Sequence, residues 1–231
     1  MTDVGTARHD LITAGLVLEG EGHGDMTRGH VSIRVPGEPN HFFMKGHSLG
    51  FDEITEDNIL TFDIESELVS GTNRPHSERY IHSEIFRARP DVNAIIHSHP
   101  THTVAFSATG KPMRPLSQGG ALFMDSLPVF TGTMDLIRSK ETGAAVAASL
   151  GPHYAVLMRH HGVTVVGSDV KQAVIMAIML EEAAKIQLLV MAAGTDGWEF
   201  PAEDVASLKV KLSRHDQWEV NFDYLARKYS K

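Results

Sequence analysis

The chain is 231 residues long, 42% hydrophobic and 22% charged, which are ordinary globular values with enough length to bury a substantial core. A formal net charge of −8 disfavours nucleic acid and anionic membrane as partners, since both need a basic footprint, but it leaves room for a local basic pocket. With no cysteine, disulfides are impossible and any metal must be held by imidazole, carboxylate or water.

Residues 1–10 are polar and do not read as a secretory leader. Apolar residues at helical spacing (Leu11, Ile12, Leu16) predict a helix over Ala7–Glu19, stopped at Gly20. A glycine-rich loop follows to Gly29. Alternation predicts a strand over Val31–Val35, then further strands over His41–Lys45 and Ile59–Ile64, with Thr55 opening a short helix between them. Ser77 is the expected N-cap of a helix running to Ala88, with Glu78 in its first turn where the macrodipole favours an anion. Val92–Ser98 reads as a strand, Thr101–Ser107 as a short helix and Asp135–Leu150 as a longer one. Strands over Tyr154–Met158 and Val163–Val166 come next. Ser168 or Asp169 caps an apolar helix, Val170–Ala193, ended by Gly194. The tail from Ala202 reads as one or two amphipathic helices. The longest strongly apolar run, Ala173–Leu180, is too short to span a bilayer, so the expectation is a cytoplasmic protein. The mixed element order suggests one domain with a partly antiparallel central sheet covered by helices.

Chemistry concentrates in three places. His97 and His99 end the apolar run Ala94-Ile95-Ile96, and residues i and i+2 of a strand share a face. Two clustered imidazoles in a buried site want a shared partner, such as a divalent ion. His160-His161-Gly162 follows another strand; adjacent residues in extended chain face opposite ways, so only one of the two imidazoles is expected to join such a site. Gly162 permits a close backbone approach or an unusual dihedral. Glu78 alone suits its own helix terminus. Together with three imidazoles it completes a donor set for Zn²⁺, Mn²⁺ or a similar ion, and a carboxylate that leaves the metal becomes a local acid or base.

The chain also resembles a known family, the class II aldolase/adducin family, over most of its length. The resemblance rests on Gly29-His30-Val31-Ser32-Ile33-Arg34, on Ser77-Glu78 followed by His82, on the run from Ala88 through His97-Ser98-His99-Pro100, and on Ala155 through His160-His161-Gly162 to Gly167, in that order. It implies a three-layer α/β fold with a mostly antiparallel central sheet covered by helices, spanning residues 1–231 as a single domain. It implies His97, His99 and His161 as metal ligands, Glu78 as acid/base and occasional ligand, and His82 as a supporting residue. It further implies a homotetramer with sites near subunit interfaces.

Departures from the family pattern narrow the substrate. Sugar-phosphate members carry Asn and Ser where this chain has His30 and His76. Imidazoles are bulkier and donate differently, so the resemblance does not carry a phosphate cradle over to this chain. The pattern is closer to members acting on unphosphorylated acids, including decarboxylases of hydroxylated aromatic dicarboxylates. His30, Ser32, Arg34, His76 and Ser77 are the expected substrate-binding residues, with Arg79 a further candidate; Arg34 equally suits a structural role at a strand end. The expected function is a divalent-metal-dependent carbon–carbon lyase acting on a small acidic molecule, a decarboxylase of a hydroxylated aromatic or related carboxylic acid in first place. The alternatives are an aldolase or epimerase on a sugar phosphate or hydroxy-keto acid, and a non-catalytic adducin-like interaction module.

Overall fold

A computed structural model of the chain describes residues 3–230. Helix α1 (Val4–Gly20) leads into strands β1 (His30–Arg34), β2 (His41–Lys45), β3 (Ile59–Asp63) and β4 (Leu68–Ser70). Helix α2 (Arg79–Ala88) precedes β5 (Ala94–Ser98), α3 (Thr101–Thr109), α4 (Gln118–Phe123) and β6 (Val129–Phe130). The remainder comprises α5 (Lys140–Leu150), β7 (Ala155–Met158), β8 (Gly162–Gly167), α6 (Val170–Ala192), α7 (Ala202–Leu212) and α8 (His215–Tyr229).

All eight strands join one sheet in the order β4-β3-β2-β1-β5-β8-β7-β6, antiparallel throughout except for the β6–β7 pair. The sheet is the middle of three layers. Strict side-chain alternation sorts its residues between two cores. Val31, Ile33, Ala94, Ile96, Val163 and Val165 face α1, α6 and α8. Ile95 and Val166 face the opposite side, among residues of α2 and α5. His30, Ser32, His97 and Thr164 have the parity of that second face, and register pairs His30 with His97 and His97 with Thr164.

Side-chain caps set several helix starts. Asp3, Ser139 and Asp169 each cap a helix by accepting a backbone N–H, from Thr6, Thr142 and Gln172 respectively. Two helix starts near the site differ from expectation. Helix α2 begins at Arg79 rather than after a Ser77 cap, and its N-cap residue, Glu78, makes no capping bond of its own. Helix α5 starts at Lys140 and not at Asp135, because Ser139 supplies the cap; residues 131–138 form a loop instead. The short β4, α4 and β6 were not expected at all. Helix α4 contains Gly119, where a Cβ would lie 2.6 Å from the Met179 carbonyl, so the helix packs flush on α6 only without a side chain there. The tail resolves into two helices, α7 and α8.

One distant carboxylate orders the turn beyond β5. Glu181 of α6 accepts hydrogen bonds from the backbone N–H of His102 (3.0 Å) and Thr103 (2.7 Å), and from the Thr103 hydroxyl (2.6 Å), at the start of α3. Burial opposes its charge, but the bonds from Thr103 and His102 prevail and hold the carboxyl below its ordinary range. A lowered carboxyl stabilises the fold above about pH 4.5 and loses that contribution as pH falls through the folded-state value. Glu181→Gln is expected to lower stability by about 1–3 kcal/mol at neutral pH. In thermal melts the gap to wild type should narrow below pH 4; a gap independent of pH would refute the ionic cap.

Candidate metal centre

Strand β5 delivers His97 and His99 side by side, with their Nε2 atoms 3.1 Å apart. Nitrogens bound to one tetrahedral ion at 2.0–2.1 Å sit about 3.3 Å from one another, so the pair is already spaced for a shared metal. His161 completes a triad whose ligand atoms all lie within 4.8 Å. The turn between β7 and β8 accomplishes this differently from the expected extended chain. His160 adopts a left-handed conformation (φ 61°) and turns outward, while His161 turns in. Gly162 is required by close approach: a Cβ there would lie 2.5 Å from the Ser98 carbonyl and 2.6 Å from the His99 ring.

Neighbouring groups orient the ligands. His97 Nδ1 meets the Thr164 hydroxyl at 3.2 Å, and His99 Nδ1 faces an Asp25 carboxylate oxygen at 3.4 Å. The Thr164 hydrogen bond leaves His97 Nε2 free for a metal. Burial lowers all three imidazole pKa values, His97 well below its ordinary range and His99 to about 4, with neighbouring imidazoles adding to the effect at these two. The triad is therefore neutral at physiological pH, the form that binds metal.

Glu78 stands over the triad. Its Oε1 lies 3.7 Å from His161 Nε2, and its Oε2 lies 3.9 Å from His97 Nε2 and 3.7 Å from His30 Nε2. Instead of capping α2, its Oε1 accepts the Ile137 N–H at 3.0 Å from the 131–138 loop. Burial raises the Glu78 carboxyl to about 7, against the lowering effect of that hydrogen bond; a bound dication would pull it down again.

The other expected residues divide. His76 and Ser77 line a cleft of ≈ 800 Å³ that opens onto Glu78, His99 and His161, with Arg28 at its wall. His30 and Ser32 are fully buried behind it, joined to His82. Arg34 does not reach the cleft: its guanidinium donates to the Pro39, Phe86, Arg89 and Val92 carbonyls and lies over the Phe86 ring, a structural clamp. Arg79 is likewise spent, on the Ser66 carbonyl and the Tyr80 ring. A second hollow of ≈ 670 Å³, between α6, α7 and α8, is mainly apolar and holds none of these groups. Sequence reasoning missed Asp25, Arg28, Ile137 and Thr164. Only Thr164 carried a signal, its even spacing from Gly162 and Val166 on a strand beside the histidines.

Comparison with known proteins agrees with this geometry. The family model "Class II Aldolase and Adducin N-terminal domain" matches residues 9–188, and the chain belongs to that family. It is 31% identical over 214 residues to the 3,4-dihydroxyphthalate decarboxylase of Arthrobacter keyseri, covering 87% of this chain and 86% of the relative. It is 33% identical over 193 residues to decarboxylase NovR of Streptomyces niveus, covering 83% and 71%. Among solved structures, L-fuculose 1-phosphate aldolase from Glaciozyma antarctica PI12 superposes with a TM-score of 0.86 at 27% identity, over 96% of this chain and 88% of that one. The chain is thus a class II aldolase-family lyase with a histidine triad suited to a divalent ion. No helix among the described residues is long and apolar enough to cross a membrane.

Gly162→Ala should push the His99 ring out of place and weaken metal binding by about 10–100-fold, measured as metal per chain after dialysis against a graded chelator. Undiminished affinity in a folded variant would show that the close approach is dispensable.

Proposed function

We propose that the chain is a divalent-metal-dependent decarboxylase of a hydroxylated aromatic or related carboxylic acid. The observation that carries this reading is the placement of Glu78: a buried carboxyl 3.7–3.9 Å from two triad imidazoles, at the floor of a cleft that also presents Arg28 and His76. The similarity to two decarboxylases supports it. His97, His99 and His161 are the ligands, with Glu78 as a fourth that can withdraw; Zn²⁺ or Mn²⁺ suits such a nitrogen-rich set. When bound, the ion supplies Lewis-acid stabilisation of the negative charge that develops as a carbon–carbon bond breaks.

The chain's own residues do the rest. Arg28 and His76 orient the acid from the cleft wall, with Ser77 beside them. Glu78 first delivers its proton to the ring carbon that bears the carboxylate, and electron density from the ring hydroxyl supports the new C–H bond. The bond to CO₂ then breaks, its electron pair restores the ring, and Glu78 takes a proton back from solvent; withdrawn from the ion, the buried carboxyl favours its protonated form. We further read residues 1–231 as one functional domain, working in the cytoplasm as a homotetramer whose neighbouring subunits border the cleft.

A second reading is aldol cleavage of a sugar phosphate. It is favoured by the 30% identity over 161 residues to the L-fuculose phosphate aldolase of Methanocaldococcus jannaschii. Replacement of the expected Asn and Ser by His30 and His76 weighs against it. Protein loaded with Zn²⁺ or Mn²⁺ should release CO₂ from hydroxylated benzoates or phthalates and yield no aldehyde from ketose 1-phosphates. The reverse pattern would overturn the decarboxylase. Glu78→Gln should lower kcat about 10²–10⁴-fold. A non-catalytic interaction module would instead retain no metal and lose nothing on that substitution.

A further inference from the structure

Behind Glu78, on the side away from the cleft, three buried side chains form a continuous line. Ser32 Oγ lies 2.5 Å from His82 Nδ1, and His82 Nε2 lies 2.6 Å from His30 Nδ1. All three residues are wholly shielded from solvent, and the Phe42 ring stacks on His82. The last nitrogen of the line, His30 Nε2, is buried without a hydrogen-bond partner and faces Glu78 Oε2 at 3.7 Å. The placement follows from the fold: Ser32 and His30 are two apart on β1, and His82 is one turn beyond Glu78 at the start of α2.

A neutral imidazole has one N–H and one lone pair, so the line can run in either direction. If His30 donates to His82, then His82 donates to Ser32. The Ser32 hydroxyl hydrogen is then left without an acceptor in a dry interior, and a lone pair on His30 is turned against the Glu78 carboxylate. In the opposite direction Ser32 donates to His82 and His82 Nε2–H donates to His30 Nδ1. Every donor within the line is then used, and His30 carries its hydrogen on Nε2, toward an anionic oxygen. Unpaired buried donors are costly, so the second direction wins at the Ser32 end, and at the other end it turns an N–H instead of a lone pair toward Oε2 across 3.7 Å.

We propose that Ser32 and His82 are positioning residues that fix His30 as its Nε2–H tautomer and so aim a hydrogen-bond donor at Oε2 of Glu78. This rests on the reading of Glu78 as the proton carrier. The carboxyl then accepts the Ile137 N–H on Oε1 at 3.0 Å and faces the His30 N–H on Oε2 across 3.7 Å, a gap that a small shift of the carboxyl closes. The same tautomer makes His30 a donor and not a ligand. His30, His76 and Glu78 cluster as closely as the triad does, yet they form no second metal position, and the chain takes one ion.

Neutron diffraction from perdeuterated crystals reads the hydrogen positions directly. Deuterium is expected on Ser32 Oγ, on His82 Nε2 and on His30 Nε2; deuterium on His82 Nδ1 and His30 Nδ1 would overturn the proposal. That result stands whatever reaction the protein runs, so an enzyme inactive on every acid would sink the functional reading alone. In turnover assays Ser32→Ala and His82→Leu should lower kcat about tenfold or more, with KM and the ratio of one metal ion per chain unchanged. His82→Gln can still accept from Ser32 and donate to His30, and it should retain most of the rate. A folded, metal-loaded His82→Gln as slow as His82→Leu would also overturn it.

Discussion

The site depends on one strand, β5, that is buried on both faces and flanked on both edges yet ends in imidazole. Antiparallel pairing to β1 and β8 leaves none of its backbone to water, and it places His30 and Thr164 directly beside His97. A buried imidazole is tolerated only when its nitrogens find partners. His97 Nδ1 finds the Thr164 hydroxyl, His99 Nδ1 has only the Asp25 carboxylate nearby at 3.4 Å without a hydrogen bond, and the remaining nitrogens of the pair are left facing each other. The interior is thus short of one positive centre, and a divalent ion is the economical way to supply it.

The two faces of the sheet divide the labour. The face toward α1, α6 and α8 is filled with aliphatic and aromatic side chains and carries the bulk of the apolar burial. The face toward α2 and α5 is apolar at its far end and polar at the end nearest the cleft. Polar groups that would weaken an ordinary core are therefore gathered where the start of α2 meets β1 and β5. Glu78 sits at that junction, and its carboxylate is withheld from its own helix terminus.

Much of this was legible in the residues. The His97–His99 spacing and the strand beneath it follow from side-chain period, whereas the division between His160 and His161, expected from extended chain, is made by a left-handed turn. Arg34 shows where pattern reasoning misleads: an arginine closing a strand is equally suited to substrate or to carbonyls, and four carbonyls, one from nearby Pro39 and three from residues 86–92, decided the matter. The stretch from Asp135 to Arg138 misled for a related reason. Its composition suits a helix, but Ser139 caps the helix later, and the freed N–H of Ile137 goes to Glu78. Contacts such as Asp25 with His99 join segments that share no local period, and only the folded chain brings them together.

The hairpin joining β7 to β8 has a consequence for how such a protein can diversify. Gly162 rests on the Ser98 carbonyl, and His160 must be left-handed for His161 to point inward. An insertion of a single residue there would rotate the ligand away from its partners, so the length of this connection is frozen. The 131–138 loop obeys no such restriction beyond one backbone N–H, although it supplies Met134, Asp135 and Leu136 to the cleft wall. New substrate preferences can therefore arise by rewriting that loop while the ion-holding hairpin stays unchanged, which separates the evolution of selectivity from that of reactivity.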